Sequence, residues 1–224
     1  MITLNSDAAS TSLSKTTKAI LNEYGIKLNK NLGQNYLIDR NKRDQIIQFG
    51  NLTKDDVVLE IGPGIGTLTI ELAKRVKKVI AIEQDSNICQ ILENRLKKEN
   101  IDNVELINDD ALNVEFPKFD KIISNLPYQI SSPITFKFLN YDFQLAILMY
   151  QKEFASRMNG KVGSKDYSRL SAMLYFKCDV DLLTGVSAES FIPKPKVDST
   201  VVRLTPKLPE LNGQLKHLNI NEIN

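Results

Sequence analysis

Residues 57–66 have the sequence Val57-Val58-Leu59-Glu60-Ile61-Gly62-Pro63-Gly64-Ile65-Gly66, in which a β-branched apolar run leads directly into three closely spaced glycines. The apolar run predicts a buried strand, and the next segment, Thr67-Leu68-Thr69-Ile70-Glu71-Leu72-Ala73, has the spacing of a helix. Glycine lets the backbone approach a ligand closely, and the start of a helix presents free N–H groups. The segment therefore predicts a nucleotide-type binding turn between a strand and a helix.

A second predicted strand places an acid next to this turn. Val79-Ile80-Ala81-Ile82 ends in Glu83, 21 residues after Gly62. A carboxylate at the tip of the neighbouring strand can accept both hydroxyl groups of a ribose. The dinucleotide-binding pattern needs G-x-G-x-x-G, whereas the spacing here is G-x-G-x-G. This spacing fits S-adenosylmethionine better, because that ligand has no pyrophosphate to seat at the helix, and we expect it as the cofactor.

The tetrapeptide Asn125-Leu126-Pro127-Tyr128 follows an apolar run at the expected end of another strand. Pro127 has no N–H and keeps Leu126 out of the helical region, so the Leu126 carbonyl is expected to point away from regular pairing. Asn125 offers an amide oxygen and Tyr128 an aromatic face. Asn and Pro are also common in ordinary strand-ending turns. Together with the glycine turn, however, these groups predict a clamp that holds a flat base by its exocyclic amine.

Strands and helices are predicted to alternate along the chain. The predicted strands are 57–61, 79–83, 104–107, 121–125 and 145–150, the predicted helices are 41–49, 67–76, 86–98, 132–139 and 152–158, and strands 179–183 and 199–204 form a terminal antiparallel hairpin. We therefore expect an α/β protein with a mostly parallel, Rossmann-like seven-stranded sheet of the class I S-adenosylmethionine-dependent methyltransferase type. In such sheets ligands bind beyond the carboxyl ends of the strands. The candidate residues at these ends are Gly62, Glu83, Asp110 and Asn125.

The composition argues against several classes of protein. With 42% hydrophobic and 25% charged residues, the 224-residue chain resembles an ordinary soluble globular protein, and we expect a cytoplasmic location. No apolar run reaches the eighteen or so residues of a membrane span, and residues 1–20 lack the apolar segment of a secretory signal. Cys89 and Cys178 are far apart, and His217 is the only histidine. A disulfide framework, a metal site and a serine-hydrolase triad are therefore not expected.

Basic residues are concentrated in the flanks of the chain. Residues 1–50 carry seven basic and four acidic side chains, residues 51–190 carry seventeen and twenty, and residues 191–224 carry five and three. Two basic clusters stand out, namely Lys27, Lys30, Arg40, Lys42 and Arg43, and then Arg157, Lys161, Lys165 and Arg169. Any one of these could be an ordinary surface charge. As a group, the first cluster indicates that an RNA partner would be gripped by the flanks, and the second lies in a glycine-containing loop that could overhang a substrate.

Several stretches together resemble the rRNA adenine dimethyltransferase family of KsgA type. They are Leu32-Gly33-Gln34-Asn35-Tyr36-Leu37, Glu60-Ile61-Gly62-Pro63-Gly64, Asn125-Leu126-Pro127-Tyr128, Gln151-Lys152-Glu153, Tyr167-Ser168-Arg169-Leu170-Ser171 and Phe191-Ile192-Pro193-Lys194-Pro195-Lys196-Val197-Asp198-Ser199. The segment Leu148-Met149-Tyr150-Gln151-Lys152-Glu153-Phe154-Ala155 is more similar to archaeal and eukaryotic members than to bacterial ones. The resemblance implies dimethylation of two adjacent adenosines in the 3′-terminal hairpin loop of small-subunit (16S) rRNA during ribosome assembly. The implied partner is that rRNA or the immature small ribosomal subunit, and we expect a monomer without a metal.

The resemblance also implies which residues bind the cofactor and the RNA. The cofactor would contact Asn35, Leu37, Gly62, Gly64, Glu83, Asp110 and Asn125. Of the two adjacent aspartates, Asp110 is preferred over Asp109, because the acid of the family directly precedes a small residue, here Ala111. The RNA-binding candidates are Lys30, Arg43, Arg157 and Lys165.

The expected catalytic set is Asn125, Leu126, Pro127, Tyr128 and Phe191. The amide oxygen of Asn125 and the Leu126 carbonyl would draw the hydrogens of the adenine amine out of plane, so that its lone pair faces the methyl group. No strong base is needed for such catalysis by position and dipoles. The adenosine must leave its stack, with Tyr128 on one face of the base and Phe191 on the other.

The expected organisation is a polar, disordered leader at residues 1–27, a methyltransferase domain at 28–205 and a polar tail at 206–224. Members of the family usually continue into a helical domain that helps to seat the RNA, and the tail is too short for one. Two alternatives remain open on the same fold. One is an Erm-type methyltransferase that acts on an adenine of large-subunit rRNA, and the other is a non-catalytic RNA-binding assembly factor.

Overall fold

A computed structural model of the chain describes residues 12–26 and 35–207. The helices in these residues are α1 (Leu13–Glu23), α2 (Arg40–Phe49), α3 (Thr69–Ala73), α4 (Ser86–Lys98), α5 (Ser131–Phe138), α6 (Lys152–Met158) and α7 (Arg169–Lys177). The strands are β1 (Tyr36–Leu37), β2 (Val57–Ile61), β3 (Lys78–Glu83), β4 (Val104–Asn108), β5 (Lys121–Asn125), β6 (Leu145–Gln151), β7 (Cys178–Val186), β8 (Phe191–Ile192) and β9 (Ser199–Pro206). None of the described helices is long and apolar enough to cross a membrane.

One seven-stranded sheet organises the fold, with the strand order β4-β3-β2-β5-β6-β9-β7. The strands from β4 to β6 in this order pair in parallel. Strand β9 runs antiparallel to both β6 and β7. Helix α3 connects β2 to β3, α4 connects β3 to β4 and α5 connects β5 to β6, whereas the connection from β4 to β5 contains no helix. The predicted α/β class, with seven mostly parallel strands and a terminal antiparallel hairpin, is confirmed.

Both faces of the central strands are buried. Val58, Val79 and Ile123 belong to the apolar cluster on one face, which also contains Ile46 and Ile47 of α2. The alternate residues of the same strands, such as Leu59, Ile80 and Ile122, belong to the cluster on the other face. Side chains alternate between the two faces along a strand, so strands covered on both sides need near-continuous apolar runs. This is the physical reason that the apolar runs predicted the strands correctly.

The sheet opens into a crevice between β2 and β5, where the strand order reverses. The paired residues of these two strands are Val58 with Lys121 and Leu59 with Ile122. Beyond this point the Ile61 N–H donates a hydrogen bond to the Ser124 hydroxyl oxygen at 2.8 Å. A side chain thus replaces the backbone partner as the strands diverge. Ligands of open α/β sheets bind in crevices of this kind.

The structure corrects the predicted disordered leader, because α1 lies within residues 1–27. Its buried residues Ile20 and Leu21 pack against Ile65, which belongs to the glycine turn, and against Ile88 and Ile91 of α4. The polar composition of the leader hid a helix with a single apolar face, a pattern that is stable only against a partner. Residues 1–11, 27–34 and 208–224 lie outside the described residues, so the structure describes residues 12–26 of the predicted leader and two residues of the predicted tail, Pro206 and Lys207.

Two other helices differ from the prediction. Helix α3 covers only Thr69–Ala73, whereas the sequence predicted a helix over 67–76. Helix α7 was not predicted. Its buried residues Leu170 and Leu174 are four positions apart, and the Ser168 N–H donates to the Ser171 hydroxyl oxygen at 2.9 Å, which satisfies one free donor at its start. The helix ends where β7 begins, so the sequence offers no glycine or proline to mark the boundary.

Candidate active site

A cavity lies in the crevice at the carboxyl ends of β2, β3 and β5. Its walls come from the segment before α2, the glycine turn after β2, the ends of β3 and β4, and the tetrapeptide after β5. The residues predicted from the sequence that line it are Asn35, Leu37, Gly62, Gly64, Glu83, Asp110, Asn125, Leu126, Pro127 and Tyr128. The fold therefore brings together residues that are up to 93 positions apart in the chain.

The glycine turn needs glycine for two reasons. Gly62 and Gly64 have φ angles of +66° and +55°, which side-chain-bearing residues rarely adopt. A Cβ atom on Gly62 would lie 3.0 Å from the Pro127 ring, and one on Gly64 would lie 2.9 Å from the Tyr36 ring. The turn is thus packed directly against the tetrapeptide on one side and against Tyr36 on the other, and it leaves backbone rather than side chains facing the cavity.

Glu83 is fixed at the rim of the cavity by backbone donors. Its two carboxylate oxygens accept hydrogen bonds from the Gly64 N–H and the Asp85 N–H, each at 3.1 Å. Burial raises the pKa of Glu83, although these two N–H groups favour the charged form. A carboxylate oxygen has lone pairs beyond those used here. Glu83 can therefore accept hydroxyl groups of a ribose while it stays attached to the glycine turn.

Two buried polar atoms on the cavity wall have no hydrogen-bond partner among the described residues. They are Glu60 Oε2 and Tyr36 Oη. Burial raises the pKa of Glu60 to about 8; the nearby Thr69 hydroxyl group opposes this rise, and the charge of Glu83 adds to it. Burial and Glu83 likewise raise the pKa of Tyr36. Buried polar groups normally have partners, so these atoms fit a ligand that brings positively charged hydrogen-bond donors, such as the ammonium group of S-adenosylmethionine.

The shifted pKa of Glu60 predicts a pH-dependent stability that Glu60→Gln should remove. Between the ordinary pKa of 4.5 and about 8, the folded protein keeps a proton on Glu60 that the unfolded chain loses, so stability falls as pH rises through this window. Between pH 5 and pH 8 the wild type should lose on the order of 2–4 kcal/mol more unfolding free energy than the Gln variant. Denaturant unfolding without cofactor measures this difference. The control is Glu93→Gln, at an exposed position, whose unfolding free energy should change with pH as that of the wild type does. The assignment is wrong if the unfolding free energies of wild type and Glu60→Gln change equally with pH.

Hydrogen bonds hold the first and the last residue of the tetrapeptide, Asn125 and Tyr128. The Asn125 amide nitrogen donates to the Asn35 carbonyl oxygen at 3.1 Å, which leaves the Asn125 amide oxygen as the atom for a ligand. Pro127 has φ −58° and ψ 124°, outside the helical region, and so turns the chain into the cavity wall. The hydroxyl oxygen of Tyr128 lies 2.6 Å from that of Ser199. An acceptor and an aromatic ring are thus held side by side next to the glycine turn.

The two adjacent aspartates both line the cavity, at the end of β4. Asp109 accepts a hydrogen bond from the Asp110 N–H at 2.7 Å. The carboxylate of Asp110 accepts one from the Leu112 N–H at 2.9 Å and one from the Asn113 side chain at 3.3 Å. Asp110 thus caps its own turn while facing the cavity. The choice of Asp110 for the adenine side remains a prediction.

Phe191 and Arg43 do not lie where the sequence predicted. Phe191 is 2% exposed and pairs with Leu37 in the two-stranded sheet of β1 and β8, so it packs in the core and does not line the cavity. The Arg43 side chain is 10% exposed and bonded to Asp44 at 2.7 Å, which leaves little of it for RNA. Arg157 and Lys165 are exposed, as predicted for RNA-binding residues. Lys30 lies outside the described residues.

The sequence did not single out several residues of the site. Tyr36, Gln84 and Gln129 line the cavity, and Ser199 bonds to Tyr128 from outside it. Tyr36 and Gln84 directly adjoin predicted residues, so their position next to a strand end was an available signal. Nothing in the local sequence around Ser199 indicates its distant partner.

The sheet order, the glycine turn after β2, the acid at the end of β3 and the tetrapeptide after β5 define a class I S-adenosylmethionine-dependent methyltransferase. The chain belongs to the ribosomal RNA adenine dimethylase family, whose sequence model matches residues 25–220. The predicted family, fold and cofactor are therefore confirmed. Within the described residues, no group of His, Cys, Asp and Glu side chains is arranged to hold a metal ion.

Named relatives and solved structures agree with this family. The probable ribosomal RNA small subunit methyltransferase A of Methanosphaera stadtmanae is 54% identical over 191 residues, which are 85% of this chain and 70% of that protein. The protein of the same name from Methanothermobacter thermautotrophicus is 53% identical over 190 residues, 85% of this chain and 68% of that one. A dimethyladenosine transferase from Plasmodium falciparum superposes with a TM-score of 0.73 at 43% identity, over 76% of this chain but only 63% of that one. The 23S rRNA methyltransferase ErmE gives 0.70 at 34% identity, over 77% and 70%.

Proposed function

We propose that this enzyme transfers methyl groups from S-adenosylmethionine to the exocyclic amine of adenosines in small-subunit rRNA. The observation that carries the proposal is the orientation of Asn125, whose nitrogen is tied to Asn35 while its oxygen is left for a ligand beside the glycine turn. The relatives with more than half of their matched residues identical are named for the small subunit. By resemblance, the targets are two adjacent adenosines in the 3′-terminal hairpin loop, methylated on the immature subunit.

The chemical problem is that the adenine amine is a weak nucleophile, since its lone pair is delocalised into the ring. The Asn125 amide oxygen and the Leu126 carbonyl oxygen accept its two hydrogens and localise the lone pair on one side. When bound, S-adenosylmethionine would supply an electrophilic methyl group at that side: the N–C bond forms as the S–C bond breaks, S-adenosylhomocysteine leaves, and one proton of the amine passes to water. Catalysis then rests on position and preorganised dipoles instead of a strong base.

The cavity walls position both ligands. Glu83 would hold the ribose hydroxyls of the bound cofactor, Glu60 and Tyr36 would lie at its charged end, and Asp110 would lie on its adenine side. Tyr128 stacks on the target base after it leaves the RNA stack. We expect the monomer to be the active form. Sedimentation of the enzyme at working concentration tests that part of the proposal.

A second candidate is methylation of an adenine in large-subunit rRNA. It is favoured by the structural likeness to the 23S rRNA methyltransferase at 34% identity. The small-subunit relatives are more similar in sequence, at 53–54% identity. The stretches 167–171 and 191–199 also resemble the small-subunit group. A non-catalytic assembly factor would not need the anchored tetrapeptide or the glycine turn.

Methyl-transfer assays with purified subunits test the proposal. The protein is incubated with labelled S-adenosylmethionine and small subunits from a strain that lacks the modification, and with large subunits in a parallel reaction. Label should enter only small-subunit rRNA, and mass spectrometry of its fragments should place two methyl groups on each of two adjacent adenosines. Label confined to the large subunit would transfer the assignment to the second candidate, and no label in either would leave the non-catalytic alternative.

A further inference from the structure

The hydroxyl group of Tyr128 is held by a residue 71 positions away in the chain. Its oxygen lies 2.6 Å from that of Ser199, a hydrogen-bonding distance at which either oxygen can donate. Ser199 is 1% exposed, and Tyr128 is partly buried on the cavity wall. The bond attaches the far end of the aromatic ring to the protein, so it restricts rotation about both side-chain torsions.

The partner in this bond is part of the rigid sheet. Ser199 is the first residue of β9, which lies between β6 and β7, and it pairs with Gln151 on one side and Val186 on the other. The preceding carbonyl, that of Asp198, accepts a hydrogen bond from the Lys152 N–H at 2.9 Å. Ser199 is therefore fixed by strands on both sides and by a backbone bond next to it.

Tyr128 itself lies on a single short turn. The Ile130 N–H donates to the Pro127 carbonyl oxygen at 3.2 Å, and this closes the turn without involving the tyrosine ring. Among the described residues, the bond to Ser199 is the hydrogen bond made by the Tyr128 side chain. Burial raises the pKa of Tyr128 above its ordinary value of 10.0, so the phenol stays neutral and the bond persists at physiological pH.

We infer that Ser199 is a positioning residue for methyl transfer, since its hydroxyl group fixes the Tyr128 ring in the plane that stacks on the target adenine. The inference rests on the proposed function. It also gives a role to the stretch 191–199, from which the sequence predicted an aromatic face at Phe191. Within that stretch it is the last residue, Ser199 at the start of β9, that acts on the cavity, through its hydroxyl group.

A double-mutant cycle tests the coupling. Ser199→Ala and Tyr128→Phe each remove one partner of the bond, and Tyr128→Phe keeps the stacking ring. Each should lower kcat/KM for rRNA about five- to tenfold, and the double variant should be no worse than either single variant. The dissociation constant for S-adenosylmethionine should stay within about twofold of wild type in all three. Ser199→Thr retains a hydroxyl group and should recover most of the loss.

Position-specific labelling reports on the ring directly, without RNA. Fluorine NMR of the whole chain carrying Tyr128→3-fluorotyrosine should show a changed chemical shift when Ser199→Ala is added. The control is Thr200→Val, which removes a hydroxyl group from the next residue of the same strand and should leave the resonance unchanged. Thermal unfolding of each variant checks that the fold is intact. If Ser199→Ala proves unstable, Tyr128→Phe still removes the hydrogen bond while Ser199 stays in place.

The outcomes separate this inference from the proposed function. An unchanged fluorine resonance in Ser199→Ala, or losses in kcat/KM that simply add in the double variant, would overturn the positioning role even if small-subunit rRNA is methylated. A changed resonance with non-additive losses supports it. If the methylated RNA proves to be the large-subunit one, the proposed function fails, and the same cycle with that RNA still decides the role of Ser199.

Discussion

Asn125→Ala is expected to reduce the turnover of methyl transfer by about a hundredfold or more, with folding and RNA binding close to wild type. Its amide oxygen acts on the adenine amine as the N–C bond forms, and loss of one preorganised partner of a transition state commonly costs this much. The residue ends β5 and is only partly buried, so its removal leaves no large core cavity. Single-turnover methylation of small subunits measures the effect.

The matched control for this variant is Asn140→Ala, which removes an exposed amide just after α5, away from the cavity. It should turn over at the wild-type rate. Asn125→Asp adds a sharper comparison, because it keeps the acceptor oxygens and loses the donor to Asn35. It should fall between wild type and Asn125→Ala. A near wild-type rate for Asn125→Ala would remove this residue from the mechanism.

The second large effect is expected at the cofactor. Glu83→Ala should weaken S-adenosylmethionine binding by roughly 2–4 kcal/mol, since it removes charge-assisted hydrogen bonds to the ribose. This corresponds to an increase of about thirtyfold to a thousandfold in the dissociation constant. The variant should still fold, because the residue lies at a strand tip and the Gly64 and Asp85 N–H groups that it leaves can bond to water.

Titration calorimetry with S-adenosylmethionine measures this loss. Glu93→Ala, which removes an exposed carboxylate from α4, is the control and should bind like wild type. Glu83→Gln keeps the shape of the side chain without its charge and should show a smaller loss than Glu83→Ala. The ribose assignment is wrong if folded Glu83→Ala binds the cofactor with unchanged affinity.

The parts of the fold and site that follow the backbone could be predicted from the sequence. Apolar runs covered on both faces marked the strands, and in a parallel sheet the ends of those strands meet at one edge. Gly62, Glu83 and Asn125 each directly follow or end such a run, so their convergence on one cavity followed from topology alone. The spacing of the glycines indicated that the ligand is S-adenosylmethionine.

What lies across the cavity could not be predicted in this way. Phe191 and Ser199 belong to the same short stretch, and only the pairing of β8 with β1 and of β9 with β6 decides which of them faces the core and which reaches Tyr128. Helix α1 was missed because its apolar face has meaning only against α4 and the glycine turn. These are contacts between distant segments, which local pattern does not encode.

The contact between Gly62 and Pro127 sets a limit on how such an enzyme can diverge. A Cβ atom at Gly62 would lie 3.0 Å from the Pro127 ring, so the glycine turn packs directly against the proline ring of the tetrapeptide. The glycine turn and the tetrapeptide line the same cavity and meet at this contact, so a larger residue at Gly62 would displace the tetrapeptide. A new RNA target is then easier to acquire by remodelling the outer surface that delivers the nucleotide than by changing this contact.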